Sequence, residues 1–282
     1  MLVERKYKYL MFLMIITIFI WFIIFTSNPN NLLKIVFFNI GQGDSLFIET
    51  PNKRQVLVDG GPDNMVLEKL GSVLSFYDRY IDIIVLTHPD EDHLTGLVEV
   101  LNRFDVGLVF IGGADKDNAT YQEWQRIIEE KNIKVKIAQM GQKIILDKDI
   151  DIKILWPDQN RKEYFADDTN NSSVVLQLDY KDAEFLLTGD IDKKIENVLV
   201  NSNQNLKSEI LKVAHHGSKN SSSQNFINKV SPKMTIISVG ENRYGHPHPD
   251  VLERLKNTLI YRTDLFGDVK ILSDGFKIEV IN

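Results

Sequence analysis

The chain has 282 residues, 43% of them hydrophobic and 26% charged, with a net charge of −6. That is an ordinary globular balance, with length for one or two domains and a large core. The absence of cysteine excludes disulfides, thiolate-bound zinc, iron–sulfur clusters and a thiol nucleophile, and the acidic balance argues against a nucleic-acid grip built mainly on lysine and arginine.

The first element is apolar. Residues 9–25 read YLMFLMIITIFIWFIIF, and no charge falls between Lys8 and Lys34. Such a run covers most of a hydrocarbon core of about 30 Å. Arg5, Lys6 and Lys8 precede it. The pattern predicts one transmembrane anchor over 9–26, with residues 1–8 in the cytoplasm and the remainder outside. A cleaved signal peptide is the alternative. The run is long for one, and residues 1–30 hold no Ala or Gly for a cleavage site. A polar linker over 27–33 follows.

KIVFFNI (34–40), SLFIET (45–50) and RQVLVD (54–59) are β-rich runs broken by Gly, Pro and Asn. The pattern then predicts a helix over 64–76, a buried strand at 82–87, a helix at 94–103, a strand at 107–112 and a helix at 120–131. Strands near 133–138, 151–156, 173–179 and 184–188 come next. Helices near 191–200, 221–229 and 249–257 then alternate with strands at 209–214 and 234–239. Strands near 268–272 and 275–281 close the chain. Alternating strands and helices, with two runs of strand alone, predict a layered α/β architecture with mixed sheets. Residues 157–173 form a long polar loop, mobile or bordering a site.

All six histidines fall in three windows, 88–93, 215–216 and 246–248, and each window follows a predicted buried strand. Loops at strand ends are where α/β sheets place their chemistry. In THPDEDH (87–93), His88, Asp90, Asp92 and His93 are four candidate ligands. Imidazole with carboxylate suits zinc, manganese or iron, and ligands this close favour adjacent ions. FLLTGD (185–190) puts Asp190 at the sheet rim, where a carboxylate can bridge two ions. ILKVAHHGS (210–218) presents His215 and His216, and the two prolines of YGHPHP (244–249) stiffen the loop that carries His246 and His248. Asp44 in NIGQGDS and Asp59 in VLVDGG either face the same rim or are turn residues.

These motifs, with NNSSVVL (170–176) and VGENRYGHPHPDVLERL (239–255), resemble in order the metallo-β-lactamase fold superfamily. Within it, the chain is similar to the C-terminal domain of competence DNA-uptake proteins of the ComEC type. The resemblance runs from about residue 34 to 282. It implies a four-layer αββα sandwich with a dinuclear site at one edge of the paired sheets. It also implies roles: His88 and Asp90 on the first metal, Asp92 and His93 on the second, Asp190 bridging, His215 as a further ligand with His216 adjacent, and His246 near the substrate. The wider superfamily has His where Asp90 stands, and another His ahead of the bridging aspartate. Here no histidine lies between His93 and His215, and Asn170 or a neighbour takes that place. An oxygen-rich, manganese-tolerant first site is the expectation.

The implied protein is a membrane-anchored hydrolase with two divalent ions, Zn2+ or Mn2+, acting on an anionic substrate, with phosphodiesters such as DNA leading. Asp92, His216 and His246 are the candidate catalytic residues. A histidine donor to a phosphoryl oxygen or leaving group suits this chemistry. A lactonase, thioesterase or phosphorylcholine-esterase type is the enzymatic alternative, because fold does not choose the substrate. A non-catalytic DNA-uptake component is the other. No protein partner is inferable. Lys53, Arg54, Lys207, Lys212 and Lys219 are scattered cations, a weak nucleic-acid footprint.

Overall fold

The computed structural model describes residues 2–26, 32–165 and 168–281, with side chains over 5–22 in the first stretch. Helix α1 (Leu2–Thr26) belongs to one compact unit, and the chain from Leu32 onward forms another. On α1 the large apolar side chains from Tyr7 to Phe22 are exposed all round. Among the described residues, no helix is long and apolar enough to cross a membrane. The described side chains include Arg5, Lys6 and Lys8, while the end of the apolar run lies beyond residue 22. The anchor expected over 9–26 is therefore a helix but not an established span. The linker expected over 27–33 lies largely outside the described residues.

The second unit opens with the antiparallel strands β1 (Leu33–Phe37), β2 (Leu46–Glu49) and β3 (Gln55–Val58). Then strand and helix alternate: α2 (Met65–Val73), β4 (Tyr80–Leu86), α3 (Glu91–Arg103), β5 (Asp105–Ile111), α4 (Ala119–Glu130) and β6 (Val135–Ile137). From β3 to β6 the pairing is parallel.

A second sheet begins with the antiparallel strands β7 (Lys143–Asp147), β8 (Ile150–Trp156), β9 (Val175–Tyr180) and β10 (Ala183–Leu187). It continues through α5 (Lys193–Val200), β11 (Ile210–Lys212), α6 (Gln224–Val230), β12 (Met234–Ile237), α7 (Pro249–Leu255) and β13 (Leu259–Arg262), with parallel pairing from β10 onward. After the one-turn helix α8 (Thr263–Phe266), β14 (Val269–Ser273) returns to pair with β1, and β15 (Ile278–Ile281) closes that edge. The sheet orders are β15-β14-β1-β2-β3-β4-β5-β6 and β13-β12-β11-β10-β9-β8-β7.

Strand alternation builds the layers. Ile35, Phe37, Ile48 and Val56 meet Ile152, Leu176, Phe185 and Ile210 between the sheets. Their neighbours Val36, Phe47 and Leu57 point the other way, onto Leu70, Leu97 and Trp124 of the helices on the outer face. On the opposite face Leu186 and Leu211 pack against Ile195, Leu199, Phe226 and Val230. The result is helix, sheet, sheet, helix, the four-layer sandwich expected from the sequence. Strands buried on both faces explain the near-continuous apolar runs. Each buried Leu, Ile or Phe contributes roughly 1.5–3 kcal/mol.

The sequence pattern did not announce β7, β13 or α8. The polar loop at 157–173 holds two 3-10 turns, Gln159–Tyr164 and Thr169–Ser172.

Candidate metal centre

The chemistry sits at the carboxyl ends of central strands. Asp59 follows β3, His88 follows β4, Asp190 follows β10, His215 and His216 follow β11, and His246 lies in the loop after β12. Helix α3 starts at this rim, so Asp92 and His93 occupy its first turn. The loop before β2 is pressed onto that turn. A Cβ on Gly43 (φ +138) would lie 2.3 Å from the Asp92 carbonyl oxygen, so only glycine lets Asp44 enter the cluster. Gly96 does the same for the helix against Gly60, whose carbonyl oxygen would be 2.0 Å from a Cβ.

Three imidazoles cluster at and beneath the floor of a cavity of about 830 Å³: His216 lines it, His93 neighbours His216, and His88 neighbours His93. His88, His93 and His216 are buried, and the Nε2 atom of each lacks a hydrogen-bond partner. The Nδ1 atoms are all engaged. His216 Nδ1 lies 2.9 Å from the Ser238 carbonyl oxygen, which can only accept, so this nitrogen carries the proton. His93 Nδ1 lies 2.8 Å from Asp59 Oδ2. Asp59 also accepts from the Thr87 backbone N–H (2.8 Å) and from Thr87 Oγ1 (2.7 Å). With its proton given to Asp59, Thr87 Oγ1 takes the His88 Nδ1 proton at 3.0 Å. Each ring thus turns Nε2 inward, as metal-ligating histidines braced by outer partners do.

Carboxylates complete the floor. Asp190 Oδ2 is 3.4 Å from His93 Nε2 and 3.3 Å from His216 Nε2. Asp92 Oδ2 is 3.4 Å from His216 Nε2. Bonds of about 2.0–2.1 Å in tetrahedral geometry place ligand atoms about 3.3 Å apart, so these spacings suit a cation between them. The ligand atoms form overlapping groups: His88, His93 and Asp190; Asp92, His93 and His216; Asp44, Asp190 and His216.

The electrostatics ask for positive charge here. Burial works against an imidazolium at His216, yet Asp190 and Asp44 outweigh it and lift its pKa to about 10. The same contest, won by Asp190, Asp59 and Asp92, raises His93 well above its usual value. His88 goes the other way. Burial, then the charge of His93, lowers it to about 3, which leaves its Nε2 lone pair free. Asp190 is also buried, but His216 and His93 hold it well below the usual carboxylate range. Buried imidazole nitrogens without partners, set among carboxylates, fit divalent metal ions of the zinc, manganese or iron type.

Two expected ligands fall outside these groups. Asp90 Oδ1 accepts from Lys116 Nζ at 2.8 Å and from Thr169 Oγ1 at 2.7 Å, which draws it towards the mouth, beside His88. His215 is only half-buried and meets the His246 ring edge-on at 5.5 Å. The pair is thus arranged opposite to expectation, with His216 in the ligand cluster and His215 on the cavity wall. His246 is half-buried too, its Nδ1 without a partner; burial and then His215 lower its pKa to about 4. Asn170 lines the cavity, while Ser173 Oγ sits between His88 Nδ1 (3.3 Å) and the Asp190 N–H (3.0 Å).

Lys212 needs correction. The sequence offered it as one of five scattered cations, near the His215 loop, that could form a weak nucleic-acid footprint. It is buried beneath the cluster, ion-paired to Asp44 and 3.8 Å from Asp190 Oδ1. Nothing local marks it, since a lysine ending a three-residue strand is ordinary. Lys53 and Arg54 are likewise occupied, by Glu49 and Asp82.

A family model described as the metallo-beta-lactamase superfamily matches residues 39–241. ComE operon protein 3 of Bacillus subtilis (strain 168) is 31% identical over 252 residues, covering 82% of this chain and 32% of that protein. Competence protein ComA of Neisseria gonorrhoeae is 32% identical over 246 residues, covering 85% of this chain and 32% of that protein. The chain spans about a third of the length of these curated relatives. Among solved structures, the metallo-beta-lactamase fold protein YhfI from Bacillus subtilis is similar in fold, with a TM-score of 0.57 and 11% identity over 86% of this chain and 100% of that one.

Proposed function

Because the chain belongs to the metallo-beta-lactamase superfamily, we propose that it is a metal-dependent hydrolase and that its substrates are phosphodiesters, in the manner of a nuclease serving DNA uptake. One observation carries the reading: three buried, unpartnered imidazole nitrogens lie close to Asp92 and Asp190, two carboxylates that line an open cavity.

In this reading His88, His93 and Asp190 would hold one divalent ion, with Asp90 beside them. Asp92 and His216, with His93 or Asp190 in reach, would hold the other. Bound Zn2+ or Mn2+ supplies an activated water and neutralises charge building on the phosphoryl oxygens. The protein's own groups do the rest. Asp59 and Ser238 fix the ring planes of His93 and His216. Lys212, locked to Asp44, offsets part of the carboxylate charge underneath. His246, neutral at pH 7 and facing the cavity, donates a hydrogen bond to a phosphoryl oxygen or to the leaving group. His215 beside it fixes the orientation of that ring.

The test is metal content of the purified chain, followed by turnover of DNA and of small esters before and after chelation. Bound metal with chelator-sensitive DNA cleavage supports the reading. Turnover of small esters alone moves the protein to the esterase class, and undiminished activity in Asp92→Ala/His93→Ala would sink the metal centre.

We also propose that α1 tethers the domain to the cell membrane, with the hydrolase on the outer side. The uncharged run 9–25 and its exposed apolar side chains support this. Full-length protein that resists carbonate extraction but yields to detergent is the expected result; release by carbonate alone contradicts it.

A further inference from the structure

The cavity rim carries an aromatic that the floor does not use. Tyr244 is 75% exposed, and one face of its ring stacks on His246, with centroids 5.6 Å apart and planes at 30°. The loop beneath it is braced. The Asn242 carboxamide accepts from the backbone N–H of Tyr244 (3.1 Å) and of His246 (3.0 Å), and it donates to the carbonyls of Gly240 and His246. A large ring held open on a fixed loop does not serve a core.

His215, Tyr244 and His246 line the metal cavity, and the same three line a second groove of about 480 Å³ walled by Ser218, Lys219, Asn220 and His248. They are a ridge between two grooves. Exposed cations flank it: Arg243 precedes Tyr244 in sequence, and Lys219 stands on the second groove. Neither side chain has an ion-pair partner among the described residues. An aromatic face for a base, with free cations for the phosphates, is the pattern of single-strand binding. A duplex keeps its bases stacked inside and gains nothing from an exposed ring.

We propose that Tyr244 is the stacking platform of a single-stranded nucleic-acid site. A base seated on Tyr244 places the adjoining phosphate in the metal cavity, and the strand continues into the second groove along Lys219. This rests on the phosphodiesterase reading and names its substrate.

The test uses the metal-loaded full chain, a single-stranded oligonucleotide, its duplex, and the same strand made of abasic sugars. Wild type is expected to favour the ordinary strand over both others in kcat/KM. Tyr244→Ala should lower the ratio of ordinary to abasic strand by about tenfold, the effect of losing one stacked base, while Tyr244→Trp keeps it. An unchanged ratio in Tyr244→Ala overturns the proposal, as does wild-type preference for the duplex. Absence of cleavage of any strand by wild type instead strikes the phosphodiesterase reading. Binding of ordinary against abasic strand, read by fluorescence anisotropy in the same variants, then still decides the stacking site.

Discussion

His215 and His216 are neighbours in sequence and opposites in place. Both backbones are left-handed, with φ of 50° and 52°. Such residues cost free energy unless their surroundings force them. The forcing is visible: His215 N–H donates to the Gly189 carbonyl, Ser218 N–H donates back to His215, and Ser221 Oγ donates to Ala214. Two successive left-handed residues throw the rings apart. His216 drops to the floor, where Ser238 holds its Nδ1. His215 stays on the rim, where it meets the His216 and His246 rings edge-on. The same contrast separates the whole floor from the whole rim. Floor imidazoles are braced by acceptors and aimed at one another. Rim groups are half-open and keep spare polar atoms. The floor is built to fix a cation, and the rim to meet a molecule that comes and goes.

The sharpest way to break that contrast is to truncate each partner. His216→Ala should lose bound metal and all measurable turnover. His215→Ala should keep the metal and lose about ten- to a hundredfold in kcat, as expected for a group that only orients the donor His246. Elemental analysis beside kinetics reads both. The opposite pattern would restore the assignment that the sequence suggested and dissolve the division into floor and rim.

A smaller effect is expected one step back from the floor. Asp59 touches the His93 ring and Thr87 but lies behind the imidazole. Asp59→Asn keeps the size and removes the charge that orients His93. Metal affinity, measured against a competing chelator, should fall about 10–100-fold, as for other outer partners of metal histidines. A change below threefold would mean that packing alone holds the ring.

The ordering of these roles was only partly legible in the sequence. The order of strands and helices and the histidine windows followed from apolar runs ended by polar loops, and those survive because burial dictates them, whereas α3 begins at Glu91, three residues before the expected 94, and so takes Asp92 and His93 into its first turn. The strands β7 and β13 were not legible, since Ile145 and Leu259 are exposed and each segment buries only one or two side chains, Ile144 and Leu146 in β7 and the partly buried Ile260 and Tyr261 in β13. The choice between His215 and His216 was not legible either. The two residues are chemically identical, and a backbone turn specified by distant partners decides between them. Lys212 was hidden for a similar reason. Its position at the end of a three-residue buried strand is ordinary, and only the folded loop carrying Asp44 supplies the counter-charge. Asp44 and Asp59 were visible as candidates, but nothing local separated an inward carboxylate from a turn residue.

Asp90 stands between the two regions and gives the finest test of the contrast. It begins α3, two residues from a floor ligand and two from another, yet Lys116 and Thr169 hold its carboxylate at the mouth. The Lys116–Asp90 pair is about a third exposed on each side, at 33% and 28%, so it belongs with surface pairs worth about 0–1 kcal/mol. A hold that weak should yield to a cation at the His88 site, which can recruit Asp90 at little cost. Lys116→Met therefore should tighten metal binding by no more than about fivefold, the equivalent of 1 kcal/mol, and leave the fold unchanged. A gain of fiftyfold or more would show that Lys116 restrains the first site. Weaker binding would show the reverse, that Lys116 positions Asp90 for the ion, and the rim would then own a part of the metal centre.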